Sequence, residues 1–247
     1  MRIAVVADVH GNLEALNVVL DDLKKSSPDT VISLGDVVGY GANPQECCEL
    51  LMEIVNVNIM GNHDAAVMGV LDTEYFNDEA RYAVQWTKDQ LSSASISWLG
   101  SSPHTFSDNN MLFSHGSPVN PRDFDYVVST GDIEAVFYTF KDIHSLFFVG
   151  HSHRRFSASK SLSGNDYYPV GDISDVIKIN KKRQYLFSVG SIGQPRDMDS
   201  TTSYGMLDTD KRIYSVKRLN YDIRTASEKI IKAGLPRWLA YRLMIGV

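Results

Sequence analysis

Cysteine is almost absent: Cys47 and Cys48 are the only two, and they are adjacent. Neighbouring thiols cannot build the spaced disulfide framework of a small secreted domain, and no metal-type partners flank them. They read as helix-packing residues of a protein kept in a reducing compartment. Positive charge is not in excess either. The formal net charge is −6 with acidic and basic residues interspersed, so no broad basic face is expected to grip a nucleic-acid backbone. No apolar stretch is long enough to span a bilayer, and Met1-Arg2 leads straight into residues 3–7, too short for a signal-peptide core. The expected location is cytoplasmic, without membrane attachment. A Pro/Gly/Ser-rich linker and a charge block are both missing. The 247 residues, 43% hydrophobic, suffice for a packed core and are expected to form one domain over 1–247.

Donor residues, by contrast, are concentrated. Five of the seven histidines fall in four short segments: Asp8-Val9-His10, Gly61-Asn62-His63-Asp64, His115-Gly116 and Gly150-His151-Ser152-His153. Gly35-Asp36 lies between the first two. Aspartate, histidine and asparagine offer the oxygen and nitrogen donors that borderline and hard divalent ions prefer. Each segment ends an apolar run whose strand would hold it still. A hydrolase working with two metal ions is expected from such a pattern. A domain boundary between residues 8 and 153 would split the site, and the −6 charge does not exclude an anionic substrate, because bound cations neutralise several acids.

The chain reads as repeated strand, loop and helix. Residues 3–7 form an apolar strand, and Asn12 can cap a helix with Leu13, Leu16, Val19, Leu20 and Leu23 at helical spacing. Residues 30–34 form a second strand, Pro44 opens a helix through Leu51 and Ile54, and residues 55–60 form a third strand. A helix over 77–92 follows, then strands at 111–114 and 146–149. This succession favours parallel pairing, with functional groups outside the carboxyl ends of the strands. Shorter β-like stretches near 167–170, 176–179, 185–189, 203–207 and 213–219 are expected to build a second, mostly antiparallel sheet. Asp222 caps a helix stopped by Gly234, and Pro236 starts a last one.

In their order and at these strand ends, the segments resemble the calcineurin-like metallophosphoesterase superfamily. Tyr40 stands where protein phosphatases place a phosphate-binding arginine, and Asp64 where they carry glutamate. The chain is therefore most similar to the small bacterial and archaeal phosphodiesterase group. The resemblance implies an α/β fold, a four-layer αββα sandwich of two mixed β-sheets flanked by helices, with a dinuclear metal site at the loop edge. It assigns Asp8, His10 and His153 to one ion, and Asn62, His115 and His151 to the other, with both oxygens of Asp36 bridging. The implied cofactors are two divalent ions per chain, manganese first, with iron, zinc, cobalt and nickel also compatible with the donors. The implied reaction is hydrolysis of a phosphodiester or phosphomonoester by in-line attack of a hydroxide bridging the ions. By resemblance His63 is the general acid, and Asp64 fixes its ring.

Recognition residues remain open from sequence. Asn12 offers an amide to phosphate or serves simply as a helix cap. Asp64 is equally credible as a helix N-terminal residue. Arg122, after His115-Gly116-Ser117-Pro118, and Arg196, in Gly193-Gln194-Pro195-Arg196, each fit a phosphate or a surface ion pair. Arg196 is preferred, because similar proteins carry a Gly-Ser-x-Gly-x-Pro-Arg stretch near the site; here Val189 precedes it where proline is usual. Tyr40 and Tyr126 suit stacking on a base or aryl group, or packing. His104 and His144, outside every motif, read as ordinary loop residues. The substrate is expected to be a phosphorylated small molecule or nucleotide-like compound. Alternatives are a phosphoprotein or dinucleoside-polyphosphate phosphatase, a non-catalytic assembly scaffold with the same fold, and a metal store, which would not need His63. Oligomeric state is not legible.

Overall fold

Strand β1 (Arg2–Val6) is apolar on both faces, and this dictates a layer on each side of it. The computed structural model describes residues 1–163, 167–171 and 176–247. After β1 come α1 (Leu13–Ser26), β2 (Thr30–Ser33), α2 (Pro44–Ile54), β3 (Val57–Asn58), α3 (Asn62–Val67), α4 (Asp78–Lys88) and α5 (Ser93–Gly100). Next are β4 (Thr105–Asp108), β5 (Met111–Ser114), α6 (Thr130–Thr139), β6 (Leu146–Val149), β7 (Arg155–Ser161), β8 (Tyr167–Gly171) and β9 (Val176–Lys178). The chain closes with β10 (Arg183–Val189), β11 (Thr202–Asp208), β12 (Ile213–Leu219), α7 (Ile223–Lys232) and α8 (Arg237–Ile245).

Two mixed sheets result, ordered β3-β2-β1-β11-β12-β9 and β4-β5-β6-β10-β7-β8. Alternation along each strand sorts side chains between layers. Ile3, Val5, Phe113, Phe148, Phe187 and Tyr214 point into the core between the sheets. Ala4 and Val6 face the helices α1, α2, α7 and α8, while Leu112, Phe147 and Leu186 face α6. The order is therefore helices, sheet, sheet, helix, the αββα sandwich. Phe113 stacks on Phe148 at 4.8 Å and 11°, and truncation of either ring to alanine would cost about 3–5 kcal/mol.

The later strands do not form a sheet of their own, contrary to the sequence expectation. Strand β11 pairs antiparallel with β1, and β10 pairs parallel with β6. Each parallel half, β3-β2-β1 and β5-β6, has a central apolar strand with one open edge, and a later strand covers it. The run 55–60 contributes only two residues to β3. Helices α5 and α6 and strands β4 and β7 were not expected; α6 begins with a Ser129-x-x-Asp132 capping box.

Candidate metal centre

The donors converge because five loops leave the same edge of the sandwich. Asp8 and His10 follow β1, Asp36 follows β2, Asn62 and His63 open α3 beyond β3, His115 follows β5, and His151 and His153 follow β6. The loops brace one another: Asp8 N–H donates to Gly35 O (3.0 Å), His10 N–H to Asp36 O (2.9 Å) and Gly193 N–H to Asp8 O (2.8 Å). Asp8, His10, Asp36, His151 and His153 all have φ between 48° and 63°. Non-glycine residues enter this left-handed region at a cost of about 1–3 kcal/mol each, and such strain gathers at functional sites.

Two groups of ligand atoms form, Asp8, His10, Asp36 and His153 in one, Asp36, His115 and His151 in the other, all buried. His10 Nδ1 donates to Val38 O (3.0 Å), and His153 Nδ1 to Gln194 O (2.6 Å). A carbonyl only accepts, so each neutral ring keeps its other nitrogen unprotonated. Those Nε2 lone pairs face each other at 3.1 Å. In the second group His115 Nδ1 donates to Leu34 O (2.8 Å), and its Nε2 lies 3.1 Å from both His151 Nδ1 and Asn62 Oδ1. Nitrogens and oxygens aimed at one another in a buried space fit divalent cations, which accept from all of them. His104 and His144 stand outside both groups.

The charges agree with that fit. Burial pushes the Asp8 carboxyl up to about 7 and drives His10, His151 and His153 well below the ordinary histidine range. Burial also opposes a proton on His115, yet the Asp36 carboxylate outweighs it and raises that ring to about 9. A proton there supplies positive charge that a bound cation would supply more strongly.

Asp36 differs from expectation in which atoms it uses. Its Oδ2 lies between the groups, 3.5 Å from His10 Nε2 and 3.4 Å from His115 Nε2. Its Oδ1 accepts from His63 N–H at 2.8 Å, at the start of α3. One oxygen thus faces both groups, and the second anchors the helix.

Asp64 does not orient His63, which corrects the sequence assignment. Its carboxylate accepts from the backbone N–H groups of Asp36 (2.8 Å), Gly61 (3.2 Å) and Val38 (3.3 Å). An acid at the third helical position bends back onto the cap, as the Gly61-x-x-Asp64 spacing would have indicated. His63 is set by packing instead. Its ring lies 4.3 Å from Tyr40, 5.0 Å from Phe76 and edge-on to His10 at 4.9 Å. Among the described residues its buried Nδ1 has no hydrogen-bond partner, and a Cβ on Gly39 would come within 2.5 Å of that atom. Sequence reasoning missed Gly39 and Phe76; the φ of +90° that calls for glycine at position 39 is visible only in the structure.

A cleft of about 370 Å³ opens over the groups, lined by Asp36, Asn62, His63, His151, His153 and Arg196 among others. Arg196 holds its guanidinium 5.8 Å above the Tyr40 ring and donates to Gln194 Oε1 (2.8 Å). No carboxylate pairs with it among the described residues, and its charge acts on Asp8, His10, His63 and His153. Arg122 is exposed, outside the cleft lining, and its charge acts on His104. Asn12 caps α1 through Ala15 N–H (3.1 Å), and its amide donates to Gly193 O (2.8 Å), so both ends serve the fold. Tyr126 stacks on His151 at 3.9 Å and 15°.

Known proteins share this arrangement of chain. A model of the calcineurin-like phosphoesterase family matches residues 1–169. An uncharacterized protein of Methanocaldococcus jannaschii is 38% identical over 248 residues, spanning 99% of this chain and 98% of that one. The crystal structure of a metallophosphoesterase from Sphaerobacter thermophilus is similar at 34% identity with a TM-score of 0.86, covering 100% of this chain and 99% of its own. A hypothetical protein from Pyrococcus horikoshii OT3 shares the fold at 21% identity, with a TM-score of 0.80 and coverage of 100% and 98%. With the buried aspartate and histidine donors at one sheet edge and a family match over more than half its length, this chain belongs to the calcineurin-like phosphoesterase family.

Proposed function

We propose that residues 1–247 act as one domain that hydrolyses phosphodiesters or phosphomonoesters with two divalent metal ions, manganese foremost, in the cytoplasm. The observation that carries this reading is Asp36 Oδ2, within 3.5 Å of a ring nitrogen from each donor group. Asp8, His10 and His153 would hold one ion, Asn62, His115 and His151 the other, and Asp36 both. The chemistry such ions supply when bound is Lewis acidity toward phosphoryl oxygens and a lowered pKa for water.

The chain's own residues do the rest. Arg196, bonded to Gln194 Oε1 and to no carboxylate among the described residues, neutralises a non-reacting phosphoryl oxygen by charge-assisted hydrogen bonds. Tyr40 beneath it keeps the guanidinium aimed into the cleft. His63 carries the proton for the leaving oxygen on Nε2, since Nδ1 is packed against Gly39. Burial lowers this ring to about 4, so it is neutral at rest. An anionic ester beside it opposes that lowering and so favours the proton-donating ring.

The test is a screen of purified full-length protein, stripped and then supplied with manganese, over aryl phosphodiesters, aryl phosphomonoesters, dinucleoside polyphosphates and phosphopeptides. Manganese-dependent hydrolysis of an aryl ester supports the reading. Absence of hydrolysis across the screen, with metal bound, would overturn it in favour of a scaffold or metal store.

A further inference from the structure

The outer half of the cleft is built from aromatic rings and carboxylates that take no direct part in the hydrolytic chemistry, although Phe76 packs on His63 and Tyr126 on His151. Tyr75, Phe76, Phe124 and Tyr126 line it together with Asp72 and Asp123. Tyr75 is 93% exposed, the largest exposure of any big apolar side chain among the described residues. Yet its backbone is pinned. The Arg81 guanidinium donates to three carbonyls around it, Thr73 O (3.3 Å), Glu74 O (3.4 Å) and Phe76 O (2.9 Å). An arginine committed to fixing a turn that holds a ring in water marks presentation rather than fraying.

The facing rim is equally fixed. Tyr126 covers His151 with one face and is 49% exposed, which leaves its other face open to the cleft. Its loop folds back through Ser117 N–H to Asp125 O (2.8 Å). Beneath both rims Phe124 packs with Met60, Ala65 and Leu71, so the loops from the two sheets share one small core. The Asp123 carboxylate has no protein partner among the described residues, and Asp72 accepts only from Glu74 N–H (2.9 Å).

These carboxylates discourage a second phosphate on this side, while Arg196 and the donor groups favour a phosphate on the other. A group flanking the phosphate on this side meets ring faces and carboxylate acceptors, a setting that suits a planar group bearing N–H donors. We propose that this outer half binds the base of a nucleoside phosphate ester, with Tyr126 and Tyr75 as stacking surfaces and Asp123 and Asp72 accepting from ring amino or imino groups. The inference rests on the phosphoesterase reading for the orientation of the phosphate. Every base offers a π-face, so stacking supplies affinity, and the carboxylates select for amino-bearing bases.

Binding of two unreactive probes to the manganese-loaded full chain tests it: the C–P phosphonate isosteres of AMP and of ribose 5-phosphate, measured by calorimetry. The AMP isostere is expected to bind roughly fivefold to a hundredfold more tightly, the usual worth of base stacking. Tyr75→Ala is expected to remove roughly fivefold or more of that difference and leave the ribose probe unchanged, while Tyr75→Phe retains it. Equal binding of the two probes, absence of binding, or equal weakening of both by Tyr75→Ala overturns the inference. Aryl ester hydrolysis by the same preparation separates the two claims. Hydrolysis with base-independent binding overturns this inference alone, and base-dependent binding without hydrolysis overturns the phosphoesterase reading alone.

Discussion

The inner and outer halves of one cleft are built on opposite principles. In the inner half each donor is buried, most in strained left-handed backbone, with three of the four donor imidazoles anchored by Nδ1 to a carbonyl. In the outer half the key rings stand in water on turns held from behind, as Arg81 holds Tyr75. Strain and burial serve geometry that tolerates no movement; exposure serves a surface that meets varied groups. Changing a donor of the inner half, or a residue that braces one, should therefore affect metal and turnover together, and disturbing the outer half should affect binding alone.

The largest expected effect comes from removing metal. Chelation should abolish hydrolysis and lower the melting temperature by about 10 °C, because a ligand bound at about a thousand times its Kd contributes about 4 kcal/mol and each kcal/mol moves a chain of this size by about 2–4 °C. Calorimetric scans of stripped and reloaded protein check this; identical scans would break the contrast between the halves.

His63→Gln is expected next in size, slowing turnover by about 10²–10⁴ with metal content retained. Alkyl esters should suffer more than nitrophenyl esters, whose leaving group needs no proton. Equal losses on both would take His63 out of the acid role.

Asp64→Asn separates holding the metal loop from orienting the acid. Weakening bonds to three backbone N–H groups should cost about 1–3 kcal/mol of stability and loosen metal, with leaving-group dependence unchanged. Urea unfolding and elemental analysis read the two. A variant that copies His63→Gln kinetically, with native stability, would restore Asp64 as the residue that orients the ring.

Arg196→Ala should weaken substrate by roughly tenfold to a hundredfold in KM with metal unchanged, whereas Arg122→Ala should change nothing measurable. Steady-state kinetics of the two variants decide between them. The opposite ranking would move recognition to the loop after His115.

The sequence showed the inner half well because each ligand segment is local: a short apolar run followed within four residues by donors. The outer half is a matter of contacts distant in sequence or hidden in backbone. Nothing in Asp72–Phe76 announces that Arg81 will pin it, and Gly39 under His63 shows only in three dimensions. Asp64 misled because adjacency to His63 suggested contact, whereas helix geometry sends the two side chains apart. The later strands misled for a related reason: alternation reveals a strand, but its partner depends on which edge remains open, as β11 on β1 and β10 on β6 show.

The central claim is that Asp36 joins two metal positions through one carboxylate. Manganese stoichiometry of the full chain and of Asp36→Asn, by elemental analysis after exhaustive dialysis, tests it most directly. Two ions per chain are predicted for the parent, with a loss of affinity in the variant beyond the roughly 10- to 100-fold that changes outside the ligand sphere produce. Two tightly held ions in Asp36→Asn, with near-native hydrolysis, would contradict the account.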